Sequence, residues 1–257
     1  MVTTPAIEFR NVSYRLPDGR ALLSDVMLEV AMGTTVALLG KSGSGKTTLL
    51  RTVNRMHAIS SGDVLVRGRS IFEQEPIALR RSIGYVVQET GLFPHFTVQR
   101  NMGLVLEIEG KSRAEIHDRA HALLEMVGLS ASEFARRMPH ELSGGQRQRV
   151  GLARALAAGQ DILLMDEPFG ALDPLTRAEM QDVLRHLTMQ AQPNGARTSV
   201  LLVTHDLDEA LYLAERVVLI EDGRIAANLP AEHFLSSTVP AVQAYVRAVH
   251  RGVEARS

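Results

Sequence analysis

The most informative stretch of this sequence is Gly40-Lys41-Ser42-Gly43-Ser44-Gly45-Lys46-Thr47-Thr48. It follows a short apolar segment, 36–39, and precedes a segment, 46–57, that we predict to be a helix. A strand, a glycine-rich loop and a helix in this order match the G-x-x-x-x-G-K-[ST] pattern of phosphate-binding loops. The alternative is a Gly/Ser-rich turn with a solvated lysine, and the two flanking elements argue against it.

Each position of this loop has a chemical reason. Glycines let the backbone bend so that successive N–H groups point at phosphate oxygens, and the helix N-terminus adds partial positive charge. Lys46 is then expected to reach the β and γ phosphates of a nucleotide, and the Thr47 hydroxyl to bind Mg²⁺. The sequence therefore predicts a nucleotide site at 40–48.

A second signal is Ile162-Leu163-Leu164-Met165-Asp166-Glu167-Pro168, an apolar strand that ends in two carboxylates. Buried carboxylates are costly without cationic partners. Asp166 is suited to holding Mg²⁺, usually through water, and Glu167 to orienting or deprotonating the water that attacks the γ-phosphorus. Pro168 ends the strand, which leaves both carboxylates at the edge of the sheet where α/β proteins bind ligands. A charged loop is the alternative, and the phosphate loop elsewhere in the chain favours the functional interpretation.

A third signal is Leu142-Ser143-Gly144-Gly145-Gln146. Ser143 is a suitable helix N-cap, and the two glycines leave helical N–H groups accessible to an anion. An ordinary Ser-Gly helix start explains this segment equally well when it is taken alone. The sequence has one phosphate-loop motif, so a second helix start suited to an anion requires an explanation.

Composition and periodicity indicate a globular α/β protein. The chain has 257 residues, 45% of them hydrophobic, and its formal net charge of −1 argues against a protein that coats nucleic acid. It has no cysteine, which excludes disulfides and Cys nucleophiles. Buried-type strands alternate with helical segments, one of them predicted over 144–158, and this alternation predicts a mainly parallel sheet. Asp173 is a suitable helix N-cap before Pro174, and Asp222-Gly223 predicts a hairpin turn. The first thirty residues have the pattern of β-strands, and residues from about 97 to 137 that of helices.

Together these motifs resemble the nucleotide-binding subunit of ATP-binding-cassette (ABC) transporters. The segment 142–146 matches the family signature LSGGQ without a departure, and the resemblance extends from about Ile7 to Ala227. It implies an α/β P-loop fold with a mainly parallel core sheet, an N-terminal antiparallel β subdomain and a helical signature subdomain at about 97–158. We expect the nucleotide-binding domain over 1–230 and a short helical tail at 231–257.

The resemblance also implies roles for single residues, with ATP and Mg²⁺ as cofactors. Tyr14 stands where the family stacks an aromatic ring on adenine. Gln88 matches the glutamine that contacts Mg²⁺ and the attacking water, and His205 matches the histidine that contacts the γ-phosphate. The segment Ala171-Leu172-Asp173 resembles the loop that couples two sites across a dimer. The expected catalytic residues are Gln88, Glu167 and His205, and the expected Mg²⁺ ligands are Thr47, Gln88 and Asp166.

Partners follow from the same resemblance. In the family, the 142–146 turn of one subunit closes over the ATP held by the other, which implies a head-to-tail dimer, here a homodimer. The segment Leu92-Phe93-Pro94-His95 opens the helical insertion with an apolar pair that is suited to gripping a partner helix. Packing within the helical subdomain explains this pair as well, but the likeness to bacterial importers favours contact with a membrane permease. An external solute-binding protein is then an indirect partner, and no nucleic acid is expected.

A finer resemblance is to the osmoprotectant, or quaternary-amine, uptake group. It rests on Val53-Asn54-Arg55-Met56 and on residues 79–88 running into 91–95. It implies an ATPase that powers uptake of glycine betaine, choline or carnitine, bound peripherally at the cytoplasmic face of the inner membrane and soluble when isolated. About 30 residues follow Ala227, so we expect no paired regulatory domains of the kind that larger members carry. An importer of another substrate (an amino acid or a sulfonate), an exporter and a non-transport ABC ATPase stay open as alternatives.

Overall fold

The computed structural model describes residues 4–87, 91–189 and 197–254, without the side chains of 250–254. The strands, in chain order, are β1 (Ile7–Arg15), β2 (Ala21–Val30), β3 (Thr35–Leu39), β4 (Ser61–Val66), β5 (Arg69–Ser70), β6 (Gly84–Val86), β7 (Ile162–Asp166), β8 (Ser199–Val203), β9 (Arg216–Glu221) and β10 (Arg224–Pro230). The helices are α1 (Lys46–Val53), α2 (Pro76–Arg81), α3 (Val98–Ile108), α4 (Arg113–Met126), α5 (Ala131–Phe134), α6 (Gly144–Ala155), α7 (Pro174–Met189), α8 (Leu207–Leu213), α9 (Ala231–Phe234) and α10 (Pro240–Glu254). Short 3₁₀ turns occupy Ile71–Glu73 and Pro139–Glu141.

The larger sheet has six strands in the order β10-β9-β3-β8-β7-β6. The strands from β9 to β6 are paired in parallel, and β10 joins β9 antiparallel. Strands β3, β7 and β8 are buried along their whole length, which explains why their sequences are continuously apolar instead of alternating. The predicted mainly parallel sheet is confirmed, and its parallel strands bring their carboxyl ends to one common edge.

A second, antiparallel sheet is formed by the N-terminal part of the chain, in the order β2-β1-β4-β5. Alternate residues of β1 and β2 are buried, among them Ile7, Phe9 and Leu28. They share one hydrophobic core with residues of α1 and of β3. The expected N-terminal antiparallel β subdomain is therefore confirmed, and its packing supports α1 from the side.

Helices α3 to α6, which lie between β6 and β7 in the sequence, pack around an apolar core of their own. Buried Met102, Leu123, Leu124 and Val150 belong to this core, which continues to β7. Towards the other edge of the six-stranded sheet, helices α8, α9 and α10 form a third core with β3, β9 and β10. None of the helices in the described ranges has both the length and the apolar character that crossing a membrane demands.

Two helices end earlier than the sequence suggests. The segment predicted as helical over 46–57 is helical only as far as Val53, because Arg55 adopts a left-handed φ of 56°. The segment predicted over 144–158 ends at Ala155, shortly before Gly159 turns the chain with a φ of 67°. At the predicted hairpin, Asp222 and Gly223 both have positive φ, of 46° and 73°, as a type I′ turn requires.

Candidate functional site

The predicted phosphate loop lies between the end of β3 and the start of α1, in the context that the motif requires. Gly40 has a φ of 148°, and a Cβ at this position would lie 2.3 Å from the carbonyl oxygen of Ile220, so a larger residue does not fit. Residues 41–43 are exposed, whereas 44–46 are buried. The loop thus presents its tip to solvent and keeps its last turn inside the protein.

Two buried groups of the loop suit an anionic ligand. The hydroxyl of Ser44 is buried, and no residue in the described part of the chain hydrogen-bonds to it. The Nζ of Lys46 donates to the carbonyl oxygens of Gly40 and Lys41, both at 2.8 Å. Burial lowers the pKa of Lys46, and the charges of Glu167 and Asp166 oppose that shift. A phosphate would supply an acceptor for the hydroxyl and a counter-charge for the ammonium.

Asp166, at the end of β7, is fully buried and has two partners on α1. Its Oδ1 accepts a hydrogen bond from the Thr47 hydroxyl at 2.7 Å, and its Oδ2 lies 3.1 Å from Nη2 of Arg51. Hydroxyl and carboxylate oxygens are ligands that Mg²⁺ prefers, and here two of them lie together, so the residues fit this ion. Arg51 is the cationic partner that a buried carboxylate needs.

Arg51 was not predicted, although a signal for it exists. It lies four residues after Thr47 on α1, so both side chains leave the same face of the helix. The Nε of Arg51 also donates to the hydroxyl of Tyr85 on β6, at 3.2 Å. Burial raises the pKa of Tyr85, which keeps this hydroxyl neutral. Asp166 is thereby connected through Arg51 to the neighbouring strand.

Glu167 and His205 follow the neighbouring strands β7 and β8. The Oε2 of Glu167 lies 3.5 Å from Nδ1 of His205. Glu167 has a left-handed φ of 48°, a conformation that is uncommon for residues other than glycine and that clusters at functional sites. Its main-chain N–H donates to the carbonyl of Val203 at 2.9 Å, which anchors this turn to β8.

The segment 142–146 begins helix α6 and forms a complete capping box. The Ser143 hydroxyl accepts from the main-chain N–H of Gln146 at 3.2 Å, and the Gln146 side chain accepts from the N–H of Ser143 at 2.9 Å. Leu142 is buried as an anchor, while Ser143 and Gly144 are exposed. The predicted N-cap at Ser143 is confirmed, and the helix start is presented to solvent.

The loop 171–173 lies against this helix start. A Cβ on Gly145 would lie 3.3 Å from the side chain of Leu172, and the N–H of Ala171 donates to the side chain of Gln148 at 3.2 Å. Asp173 caps α7 by accepting from the N–H of Thr176 at 3.0 Å, and this hydrogen bond lowers its pKa. The predicted cap at Asp173 is confirmed. The loop therefore connects the end of β7 with the 142–146 turn.

For two predicted site residues, Gln88 and Tyr14, the structure does not show a position at this edge of the sheet. Gln88 falls outside the described residues. Tyr14 is half-buried, and its hydroxyl lies 3.2 Å from Nδ1 of His57, with the two rings edge to face at 5.4 Å. His57 lies beyond the C-terminal end of α1, whereas the phosphate loop is at its N-terminal end. The assignment of Tyr14 to adenine stacking stays a prediction.

The segment Leu92-Phe93-Pro94-His95 is held by Asn101, a fully buried residue of α3. The Asn101 side chain accepts from the N–H of Phe93 at 2.7 Å and donates to its carbonyl at 3.1 Å. Leu92 packs on the helical core, but the Phe93 side chain is 41% exposed. Phe93 lines a surface groove of about 420 Å³. The groove also contains Ile77, Tyr85, Leu104 and Val105.

Comparison with known proteins identifies the relatives of this chain. The family model described as ABC transporter matches residues 23–170. The choline transport ATP-binding protein OpuBA of Bacillus subtilis (strain 168) is 42% identical over 85% of this chain and 56% of its own length. The osmoprotectant import ATP-binding protein OsmV of Salmonella typhimurium (strain LT2) is 45% identical over 83% of this chain and 55% of its own length. The chain thus spans just over half the length of these curated relatives.

The fold of this chain matches a solved structure over nearly the whole length of that structure. The dimeric post-hydrolysis state of the ATP-binding cassette MJ0796, bound to ADP and Pi, has a TM-score of 0.79 and 32% identity. The match covers 88% of this chain and 98% of that one. A family model over more than half of the residues, relatives above 40% identity and the shared cassette fold make this chain a member of the ABC transporter family.

Proposed function

We propose that this chain is the ATP-binding and ATP-hydrolysing subunit of an importer that takes up a small solute. The observation that carries this proposal is the meeting of Lys46, Asp166 and the Glu167–His205 pair at one edge of the parallel sheet. A phosphate loop alone supports nucleotide binding. A carboxylate and an imidazole beside it supply what hydrolysis needs in addition.

In the proposed reaction, water attacks the γ-phosphorus of ATP, and the bond between this phosphorus and the β-γ bridging oxygen breaks, so that ADP leaves. Glu167 takes the proton from the attacking water, and His205 holds the γ-phosphate and the Glu167 carboxylate in place. Lys46 neutralises charge on the β and γ phosphates. Bound Mg²⁺, held by Thr47, Asp166 and Gln88, would neutralise further phosphate charge.

The second half of each site comes from another copy of the chain. The exposed turn at Ser143 and Gly144, with its helix N-terminus, is suited to closing over the γ-phosphate bound by a partner. The loop 171–173 packs against this turn and leads back to Glu167. Closure of one ATP site is therefore transmitted to the other ATP site. We therefore propose a homodimer with two ATP molecules between the subunits.

The groove beside Phe93 is the proposed seat of a helix of the membrane permease. Phe93 and Ile77, which line this groove, are 41% and 55% exposed, and together they offer an apolar surface that suits an amphipathic partner helix. Tyr85 lines the same groove and hydrogen-bonds Arg51, the partner of Asp166. This series of contacts supports a physical connection between a seated helix and the nucleotide site.

The proposed solute is an osmoprotectant of the quaternary-amine class, such as glycine betaine, choline or carnitine. Support comes from the relatives, which carry the names of choline and osmoprotectant transport. The solute would be selected by the permease and an external binding protein. This chain would act at the cytoplasmic face of the membrane that holds the permease.

The oligomeric state of the purified chain tests the proposed dimer and its ATP sites. The Glu167→Gln variant should form a dimer in Mg-ATP by size-exclusion chromatography with light scattering, and Lys46→Ala should stay monomeric. A Glu167→Gln variant that binds ATP and stays monomeric would contradict the proposed dimer site.

Uptake of radiolabelled solutes tests the transport part. A native strain lacking this chain should lose uptake of choline, glycine betaine or carnitine and regain it with the parent chain, but not with Lys46→Ala. Copurification of a polytopic membrane protein from detergent extracts should accompany uptake. Loss of amino acid or sulfonate uptake instead would identify another importer. Copurification with ribosomes or DNA-binding proteins would contradict the transport role.

A further inference from the structure

The C-terminal helix α10 packs close to the nucleotide site. One face of the helix, with Val242, Tyr245, Val246 and Val249, belongs to the third hydrophobic core. The same core includes Leu39, the last residue of β3, and Leu207, the first residue of α8. The phosphate loop begins directly after Leu39, and His205 lies just before α8. Helix α10 is therefore packed against the bases of both loops.

Tyr245 reaches from α10 to these loops. Its hydroxyl donates to the main-chain carbonyl of His205 at 3.3 Å. Burial raises the pKa of Tyr245, the charge of Asp206 adds to this shift, and the nearby main chain of Gly40 opposes it. The neutral hydroxyl thus lies between Gly40, where the phosphate loop starts, and His205.

Helix α8 does not supply a donor for the carbonyl of His205. Asp206 is the N-cap of α8, and its carbonyl accepts the first bond of that helix, from Ala210 at 3.1 Å. The carbonyl one residue earlier lies outside the helical hydrogen-bond pattern. Around the tyrosine, a cavity of about 310 Å³ separates α10 from residues 40–42. Tyr245 consequently spans a gap between the helix and the catalytic loops.

We propose that Tyr245 is a positioning residue: its hydroxyl holds the main chain of His205, so that the C-terminal helix α10 sets where the imidazole lies relative to Glu167. The proposal rests on the proposed ATP hydrolysis, in which His205 holds the γ-phosphate. It assigns α10 an effect on turnover, because the hydrogen bond of Tyr245 acts on the residue that is proposed to hold the γ-phosphate.

The test is a double-mutant cycle with Tyr245→Phe and His205→Ala, with Tyr212→Phe as the matched control. Tyr212 also uses its hydroxyl in a side-chain hydrogen bond, to Asp182, and the residue is 40% exposed. Tyr245→Phe should lower kcat for ATP about two- to tenfold, the value of one hydrogen bond, with KM unchanged. Tyr212→Phe should keep the parent kcat. In the His205→Ala background, Tyr245→Phe should have no further effect.

Two kinetic outcomes overturn the proposal: a parent kcat in Tyr245→Phe, or the same fall in the His205→Ala background, which indicates general destabilisation of the fold. A second readout is independent of turnover. In NMR spectra of ¹⁵N-histidine-labelled protein, the ring signals of His205, assigned with His205→Ala, should move in Tyr245→Phe and not in Tyr212→Phe. Signals that stay in place contradict the proposal even if the parent chain hydrolyses no ATP, an outcome that would contradict the proposed function separately.

Discussion

The carboxylate of Glu167 and the imidazole of His205 lie 3.5 Å apart, although each follows a different strand of the sheet. Parallel pairing of β7 with β8 brings the two together, and the left-handed turn at Glu167 releases its side chain from the strand. The residues that we propose as the base for the attacking water and as the group that holds the γ-phosphate are therefore placed by the sheet itself.

Replacing Glu167 by Gln should remove the base and leave the site intact. The amide keeps the size of the side chain and can still hydrogen-bond His205, but it cannot accept a proton. We expect turnover of ATP to fall by about 10²–10⁴, with nucleotide binding preserved. Steady-state phosphate release and equilibrium binding of a fluorescent ATP analogue measure the two effects. The control Glu232→Gln, an exposed residue of α9, should behave as the parent; hydrolysis at the parent rate by Glu167→Gln would remove Glu167 from the mechanism.

Replacing Lys46 by Ala should weaken nucleotide binding itself. The ammonium donates to the carbonyls of Gly40 and Lys41 in this structure. With ATP bound, we propose that it makes charge-assisted hydrogen bonds to phosphate oxygens, which the variant loses. Affinity for ATP should fall about ten- to a hundredfold. Titration calorimetry measures it, with Lys111→Ala, an exposed lysine, as the control. Unchanged affinity in Lys46→Ala would mean that the loop does not hold phosphate.

Arg51 is expected to stabilise the fold through Asp166. In Arg51→Met, the buried carboxylate keeps Thr47 and loses its cation, which should lower the free energy of unfolding by about 1–3 kcal/mol. The exposed control Arg10→Met breaks a pair with Glu8 and should leave the free energy of unfolding nearly unchanged. Urea denaturation measures both. The double variant Arg51→Met with Asp166→Asn should recover most of the loss, since no buried charge is then left unpaired; equal losses in the single and double variants would contradict this account.

Glu209 should make stability depend on pH. Burial raises its pKa from 4.5 to about 7, and its Oε1 has no hydrogen-bond partner in the described part of the chain. As pH rises from 4.5 to 7, the unfolded chain loses the Glu209 proton while the folded chain keeps it, so the folded state is progressively destabilised by about 3 kcal/mol. Above pH 7 Glu209 is ionised in both the folded and the unfolded chain, so its effect on the free energy of unfolding no longer changes with pH.

The variant Glu209→Gln cannot ionise at this position. Its free energy of unfolding should therefore increase relative to that of the parent as pH rises from 4.5 to 7. Urea denaturation at pH 5 and pH 8 gives the two differences between variant and parent, from which all other titrating groups cancel. The exposed Glu232→Gln should show no such trend. An equal difference at both pH values for Glu209→Gln would mean that Glu209 ionises normally in the folded protein.

Much of the fold was accessible from short-range patterns. The loop at 40–48 and the caps at Ser143 and Asp173 were predicted from a few neighbouring residues, because glycine geometry and helix capping act within one turn. The helix predicted at 46–57 was too long, since nothing in the local pattern revealed the left-handed turn at Arg55.

Local patterns thus established the α/β class, the phosphate loop and the paired acidic residues at the end of a buried strand. Folding in three dimensions settled which side chains meet: Asp166 with Arg51, Glu167 with His205, Tyr245 with the carbonyl of His205. The physical reason is that these contacts join distant parts of the chain. They depend on the order of strands in the sheet and on which helix packs beside them, and neither is encoded in the periodicity of any single segment.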